Sequence, residues 1–337
     1  MATGGEQAVT SGDFSVLSYR LSADGRHVAM MRGPSPNQSD GDRNEVWTMN
    51  AEGGNARALT SNTIEELDPS CRRTTARSFF IAGAGPRFEP YYNQNLFHRT
   101  RERRHSDGAL PGFSVRVRSR DVGTDGRSIL AVVNMGLHSE IFRIDVAGRT
   151  CKQLTDGEHS IPSAPAAAWS LEPHAEKLIY LLDEPSRAAR RGRCPSPAER
   201  RRGSRACATR SPRPTSCPRQ ERFEWKGRDG VAIEGLLIYP TGYQPGTALS
   251  AHRADARRPD GIRQVRRRRR PPDELLPGPR RQGLRRAPTE LPAGSAGYGT
   301  AFYRDPVGHY FQPHADGHPS RVSTRLIAKA GLPIRIA

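Results

Sequence analysis

The chain has 337 residues, of which only 35% are hydrophobic, with 33 glycines and 28 prolines. It can bury one or two modest cores but cannot fill three domains. Its net charge of +18 invites a nucleic-acid reading, whereas the absence of any long apolar run argues against a membrane span.

In chain order, the first patterned stretch is Phe14–Arg32, where the turn signal Asp24-Gly25 is followed by the short apolar strand H-V-A-M-M. Nothing before it joins a basic segment to an apolar one, so the sequence as written is expected to be cytoplasmic; a longer N-terminus with a signal peptide would make it periplasmic. Glu45–Thr60 (E-V-W-T-M-N-A-E-G-G-N-A-R-A-L-T) reads as an alternating strand, a Gly-Gly turn and a second strand. Both units return about a hundred residues on. T-D-G-R-S-I-L-A-V-V (124–133) echoes the first, and E-I-F-R-I-D-V-A-G-R-T-C-K-Q-L-T (140–155) echoes the second almost position by position. Trp169–Leu182 is a weaker third copy with the strand E-K-L-I-Y-L-L. Matched units of short strands and tight turns, each blade about fifty residues long, predict a mainly β chain with partial β-propeller blades over 12–186. Strands are expected at 26–32, 45–50, 127–133, 140–145, 177–182 and 231–239.

Four tracts break this order: 71–77, 99–120, 187–219 and 247–293. They hold 34 arginines against 8 acids, a net +26, which leaves the rest of the chain at −8. Lysine occurs only four times in the whole sequence. The tracts have neither a period of 2 nor one of 3.6, and they are predicted to be long disordered loops. Tracts 187–219 and 247–293 contain no Phe, Tyr or Trp for base stacking, so a nucleic-acid partner is not expected.

Phe223–Gly246 (F-E-W-K-G-R-D-G-V-A-I-E-G-L-L-I-Y-P-T-G-Y-Q-P-G) is a hairpin around Arg228-Asp229-Gly230. It resembles the segment that opens the catalytic domain in the prolyl oligopeptidase family, among bacterial acylaminoacyl and dipeptidyl peptidases. Gly294–Gln312 (G-S-A-G-Y-G-T-A-F-Y…) is similar to that family's R-G-S-x-G-Y-G-x-x-F segment, which precedes a helix. The resemblance implies an incomplete α/β-hydrolase domain over 220–337, interrupted by the tract 247–293, and serine-type hydrolysis of short peptides without a cofactor. It also implies that the nucleophile elbow, acid and histidine follow the G-Y-G segment. The sequence given ends at Ala337 before such an elbow, so no catalytic residue is assigned and the chain is expected to be inactive. The alternative is a non-catalytic propeller that binds a protein or peptide, for which Phe223–Gly246 has no use.

The abrupt edges of the tracts and their Arg, Pro, Ala, Gly and Ser content read as GC-rich codons translated in a shifted frame. Translating codons 187–219 and 247–293 in the two other frames is expected to give propeller strands and a His-Gly-Gly-Pro-like loop. Stop-rich or equally patternless sequence in both frames would reject that reading and favour a basic arm.

Several residues imitate sites. Ser295 sits in A-G-S-A-G, but the proline-containing A-P-T-E-L-P-A before it is a poor elbow strand. His309, His314 and His318, with Asp305 and Asp316, match no zinc spacing, and Pro313 and Pro319 break any helix that would align them, so no metal site is expected. Cys71, Cys151, Cys194, Cys207 and Cys217 form no framework. Glu65-Glu66 is the one candidate substrate-binding pair, because in some dipeptidyl peptidases a Glu-Glu pair binds the substrate's free amine. The competing reading is a solvated acidic turn.

Overall fold

The computed structural model describes residues 6–22, 24–37, 40, 43–71, 77–85, 88–100, 117–122, 128–145, 147–161, 169–172, 177–184, 190–194, 220–226, 232–239, 250–255, 284–289, 297–305 and 307–308. These hold eighteen strands and one short helix. Strands β1 (Ser15–Leu21), β2 (His27–Gly33), β3 (Glu45–Asn50) and β4 (Arg57–Ala58) form one sheet in the order β1-β2-β3-β4. A second sheet joins β5 (Glu66–Cys71), β6 (Arg77–Ala82) and β7 (Asn95–Thr100). The third has the order β11-β10-β9-β8, from β8 (Val117–Val122), β9 (Ser128–Met135), β10 (His138–Asp145) and β11 (Thr150–Gln153). The fourth comprises β12 (Trp169–Glu172), β13 (Lys177–Leu182) and β14 (Arg190–Cys194). In each of these four sheets every strand lies beside its sequence neighbour, the meander of a propeller blade. The chain is a partial β-propeller with a different sheet at its end.

That last sheet has the order β15-β16-β18-β17, built from β15 (Gln220–Lys226), β16 (Ala232–Ile238), β17 (Ser250–Asp255) and β18 (Leu284–Thr289). β15 and β16 form an antiparallel hairpin with Glu224 opposite Glu234. β16 pairs antiparallel with β18, and β17 pairs parallel with β18 from Ser250↔Leu284 to Asp255↔Thr289. Helix α1 (Thr300–Arg304) follows the glycine-rich loop, in accord with the helix expected after the G-Y-G segment.

All six strands expected from the sequence are present within a residue or two of their expected bounds. Three others lie inside tracts read as irregular, β14 in 187–219 and β17 and β18 in 247–293, and β8 begins inside the tract 99–120. Main-chain pairing does not depend on side-chain polarity, so a strand can form where composition gives no alternation. The remaining positions of tracts 187–219 and 247–293 lie outside the described residues.

The chain divides into two compact units. One comprises residues 1–113, 117–131 and 143–151; the other comprises 114–116, 132–142 and 152–337. In the first unit, β5 packs beside β1 and β2. Its core gathers Val46, Leu59, Ile64, Phe80, Ala82, Ala84 and Phe97, with Phe88 packed against them. The Phe80 and Phe97 rings stack with centroids 5.7 Å apart, and Phe88 meets Phe97 edge-on at 4.8 Å. Burying these rings removes the largest apolar areas from water and stabilises the unit. Arg32 lies between Phe14 and Trp47, its guanidinium carbon 3.5 and 4.1 Å from the two ring centroids.

The two matched sequence copies build the same local device. In the first, the Leu59 amide donates to the Val46 carbonyl at 2.7 Å, and the Val46 amide donates to Thr60 Oγ1 at 2.8 Å. In the second, Leu154 donates to Ile141 at 2.7 Å, and Ile141 donates to Thr155 Oγ1 at 2.8 Å. The terminal Leu-Thr of each copy therefore ends its strand by turning a buried hydroxyl onto the neighbouring backbone. The turn positions also correspond. Gly54 has φ +82°, and Arg149 at the equivalent place has φ +51°, a left-handed conformation that glycine adopts without strain and arginine does not.

Candidate functional site

Three clusters of polar side chains stand out among the described residues. The largest lies in the second unit, where the β9–β10 turn meets the β15–β16 hairpin. Side chains two apart on a strand share a face. Arg222 and Glu224 on β15 therefore share one face with their cross-strand partners Leu236 and Glu234 on β16. Leu236 and Leu137, 3% and 0% exposed, pack together as the apolar centre of the contact. Around them, Arg222 Nη2 donates to Glu234 Oε1 at 2.8 Å and also bonds Glu224 Oε1. Glu234 Oε2 accepts from the Leu137 amide at 3.3 Å. Arg222 Nη1 donates to His138 Nε2 at 3.2 Å.

Burial works against the Arg222 charge, but the carboxylates of Glu224 and Glu234 outweigh it and hold the guanidinium above its ordinary pKa. For His138, burial and then the nearby Arg222 charge push the imidazole below its usual value. The turn is also fastened by backbone, since the Gly136 amide donates to the Gly297 carbonyl at 2.8 Å. Both glycines have positive φ, +58° and +99°. A Cβ on Gly136 would lie 2.2 Å from Glu234 Oε2, so any other residue would have to displace that carboxylate and bear a left-handed φ. The glycines of the G-S-A-G-Y-G segment thus include one used for backbone contact.

The second cluster is Glu140, Thr155 and His159, all buried in the same unit. Thr155 Oγ1 donates to Glu140 Oε2 at 2.6 Å, and His159 Nε2 lies 3.0 Å from the same oxygen. The hydroxyl bonds the acid and not the imidazole, so this geometry does not activate a nucleophile. It closes the second blade copy.

The third cluster surrounds the predicted acidic pair. Glu65 is exposed, whereas Glu66 is fully buried at the start of β5. Glu66 Oε2 accepts from the Val46 amide at 3.0 Å and from the Thr60 hydroxyl, and Oε1 accepts from Asn62 Nδ2 at 2.8 Å. Desolvation dominates its titration and pushes the carboxyl up to about 7, against the lowering pull of the Thr60 and Asn62 hydrogen bonds. Glu65 precedes β5 on the exposed side of the chain while Glu66 turns into the interior, so the two carboxylates do not converge on one point.

Among the described residues, no group of three or more His, Cys, Asp or Glu side chains could hold a metal ion. Ser295, His309, His314, His318, Asp316, Cys207 and Cys217 lie outside them. Asp305 is exposed at the end of α1, and Cys151 is exposed and free. Also among the described residues, no helix is long and apolar enough to cross a membrane.

The sequence reading missed Gly136, His138, Arg222 and Glu234. The only local signal was the glycine turn N-M-G-L-H between two apolar strands. Nothing local joins residues 138 and 222.

No family model matches the sequence, and no curated relative does. Solved structures do. The acylaminoacyl peptidase of Pyrococcus horikoshii superposes with a TM-score of 0.68 at 14% identity, over 96% of this chain and 47% of that one. A puromycin-hydrolyzing peptidase of Mycobacterium tuberculosis gives a TM-score of 0.65 at 14% identity, over 99% and 50%. A prolyl endopeptidase structure gives 0.62 at 12% identity, over 94% and 44%. The chain spans about half the length of the structures it matches. With the meander sheets, the hairpin and the glycine loop in the expected order, the chain has the fold of the prolyl oligopeptidase family.

Proposed function

We propose that the chain carries a partial propeller (12–186) and an incomplete α/β-hydrolase domain (220–337), its opening strands, of a serine-type peptidase for short peptides. We further propose that these 337 residues do not hydrolyse peptides by themselves. The observation that carries the reading is the sheet β15-β16-β18-β17, an antiparallel hairpin continued by a parallel pair. A propeller blade is an antiparallel meander. Parallel neighbours need a crossover connection, which belongs to α/β architecture. This favours a peptidase half over a propeller that only binds.

Catalysis of this class acylates an activated serine and stabilises the oxyanion with prearranged donors. None of the 337 residues matches the family's nucleophile, acid or histidine by motif. Recognition of a substrate amine, assigned from the sequence to Glu65 and Glu66, falls to Glu65, because Glu66 spends its oxygens inside the unit.

Purified chain is expected to show no turnover of aminoacyl or dipeptidyl chromogenic substrates and no labelling by a fluorophosphonate probe. Stoichiometric labelling that disappears in Ser295→Ala would reject inactivity and make Ser295 the nucleophile.

A further inference from the structure

We propose that the contact between the β9–β10 turn and the β15–β16 hairpin is an acid-sensitive latch, closed when His138 is neutral and released when it is protonated. A guanidinium has no acceptor, so Arg222 Nη1 donates to His138 Nε2 across their 3.2 Å separation. Nε2 must then offer a lone pair, and the single proton of the neutral ring sits on Nδ1. That Nδ1 is buried with no hydrogen-bond partner. The imidazole therefore holds the turn through one bond, which only its neutral form can accept. A proton on Nε2 removes that acceptor and sets two cations face to face.

The surrounding charges define how strongly the latch senses acid. Arg222 faces His138 from β15, where it also pairs with Glu224, and Glu234 acts from β16; Glu140 lies on its own strand and Glu158 on the segment after β11. Tyr298 lies near Arg222 on the glycine loop. The three acids Glu234, Glu140 and Glu158 favour the protonated ring, while burial and Arg222 oppose it and prevail.

The sign follows from linkage. A histidine whose closed-state pKa lies below its ordinary value stabilises the closed state fully above about 6.5, and that stabilisation is lost as the pH falls below it. The other fastenings, Leu137 to Glu234 and Gly136 to Gly297, do not pass through His138, so the release is local and does not unfold the unit.

The test uses the full chain. Amide exchange at residues 136–140, corrected for intrinsic rates, is expected to lose roughly threefold or more protection between pH 7.5 and pH 5.5. Protection at the Leu154 amide, bonded to the Ile141 carbonyl at 2.7 Å outside that segment, should stay within about twofold as an internal reference. His138→Gln keeps an acceptor for Arg222 but does not titrate, and its turn should show no such pH dependence. An unchanged wild type, or an equal loss in His138→Gln, overturns the latch. Should the variant fail to fold, an NMR titration of His138 in the unaltered chain decides. A value below 6.5 supports the proposal, and a value at or above it overturns it.

Discussion

Replacing Glu66 with alanine is expected to cost the first unit about 3–5 kcal/mol, a large share of the stability a domain normally has. The carboxylate satisfies three donors at once: the Val46 amide, the Thr60 hydroxyl and Asn62 Nδ2. Alanine would leave them with fewer partners around a buried position, where Val46 and Thr60 are buried and Asn62 half-buried, and an unmet buried donor costs about 1–3 kcal/mol. The sum is less than additive, because water can enter the space left behind. Glu66→Gln keeps the shape and should cost less.

The two variants also separate the electrostatics. Because burial raises the Glu66 carboxyl to about 7, its contribution is fully present below its unfolded value of 4.5 and is lost as the pH rises through about 7. Urea unfolding of the unaltered chain should therefore weaken from pH 5 to pH 8, and Glu66→Gln should remove that slope. An alanine variant within 1 kcal/mol of the parent, or a slope unchanged in Glu66→Gln, would show that this carboxylate does not hold the first blade to the second.

The second large effect belongs to the turn. Gly136→Ala should destabilise the second unit by about 2–4 kcal/mol and expose the Leu137 amide to exchange. Two terms add here. A left-handed φ of +58° costs an L-residue about 1–2 kcal/mol, and the new Cβ would stand 2.2 Å from Glu234 Oε2. Gly25→Ala isolates the first term, since Gly25 has φ +70° but nothing within 4 Å of its Cβ position. The difference between the two variants is the cost of displacing Glu234 from Leu137 and Arg222. If Gly136→Ala is no worse than Gly25→Ala, the close approach has no energetic weight. Gly297→Ala probes the same approach from the other side, its Cβ meeting the Gly136 nitrogen at 3.0 Å and its φ at +99°.

Some features of this protein were written locally in its sequence. The strands at 27–33, 45–50, 128–135, 138–145, 177–182 and 232–238 announced themselves by apolar runs or alternation beside glycine turns. Matching Glu45–Thr60 with Glu140–Thr155 identified a repeated blade, because both copies solve the same local problem with the same Leu-Thr end. Such signals are legible because side-chain period and turn chemistry act over a few residues.

Other features were decided only in three dimensions. Strands β14, β17 and β18 pair through their backbones inside Arg-rich sequence that has no strand period. The acidic pair read as a site for an amine became one exposed side chain and one buried lock. That outcome depends on Thr60 and Asn62 arriving beside β5, not on the letters E-E. His138 and Arg222 meet across 84 positions, and no local pattern encodes a hydrogen bond between side chains that only the packing of a turn on a hairpin brings together.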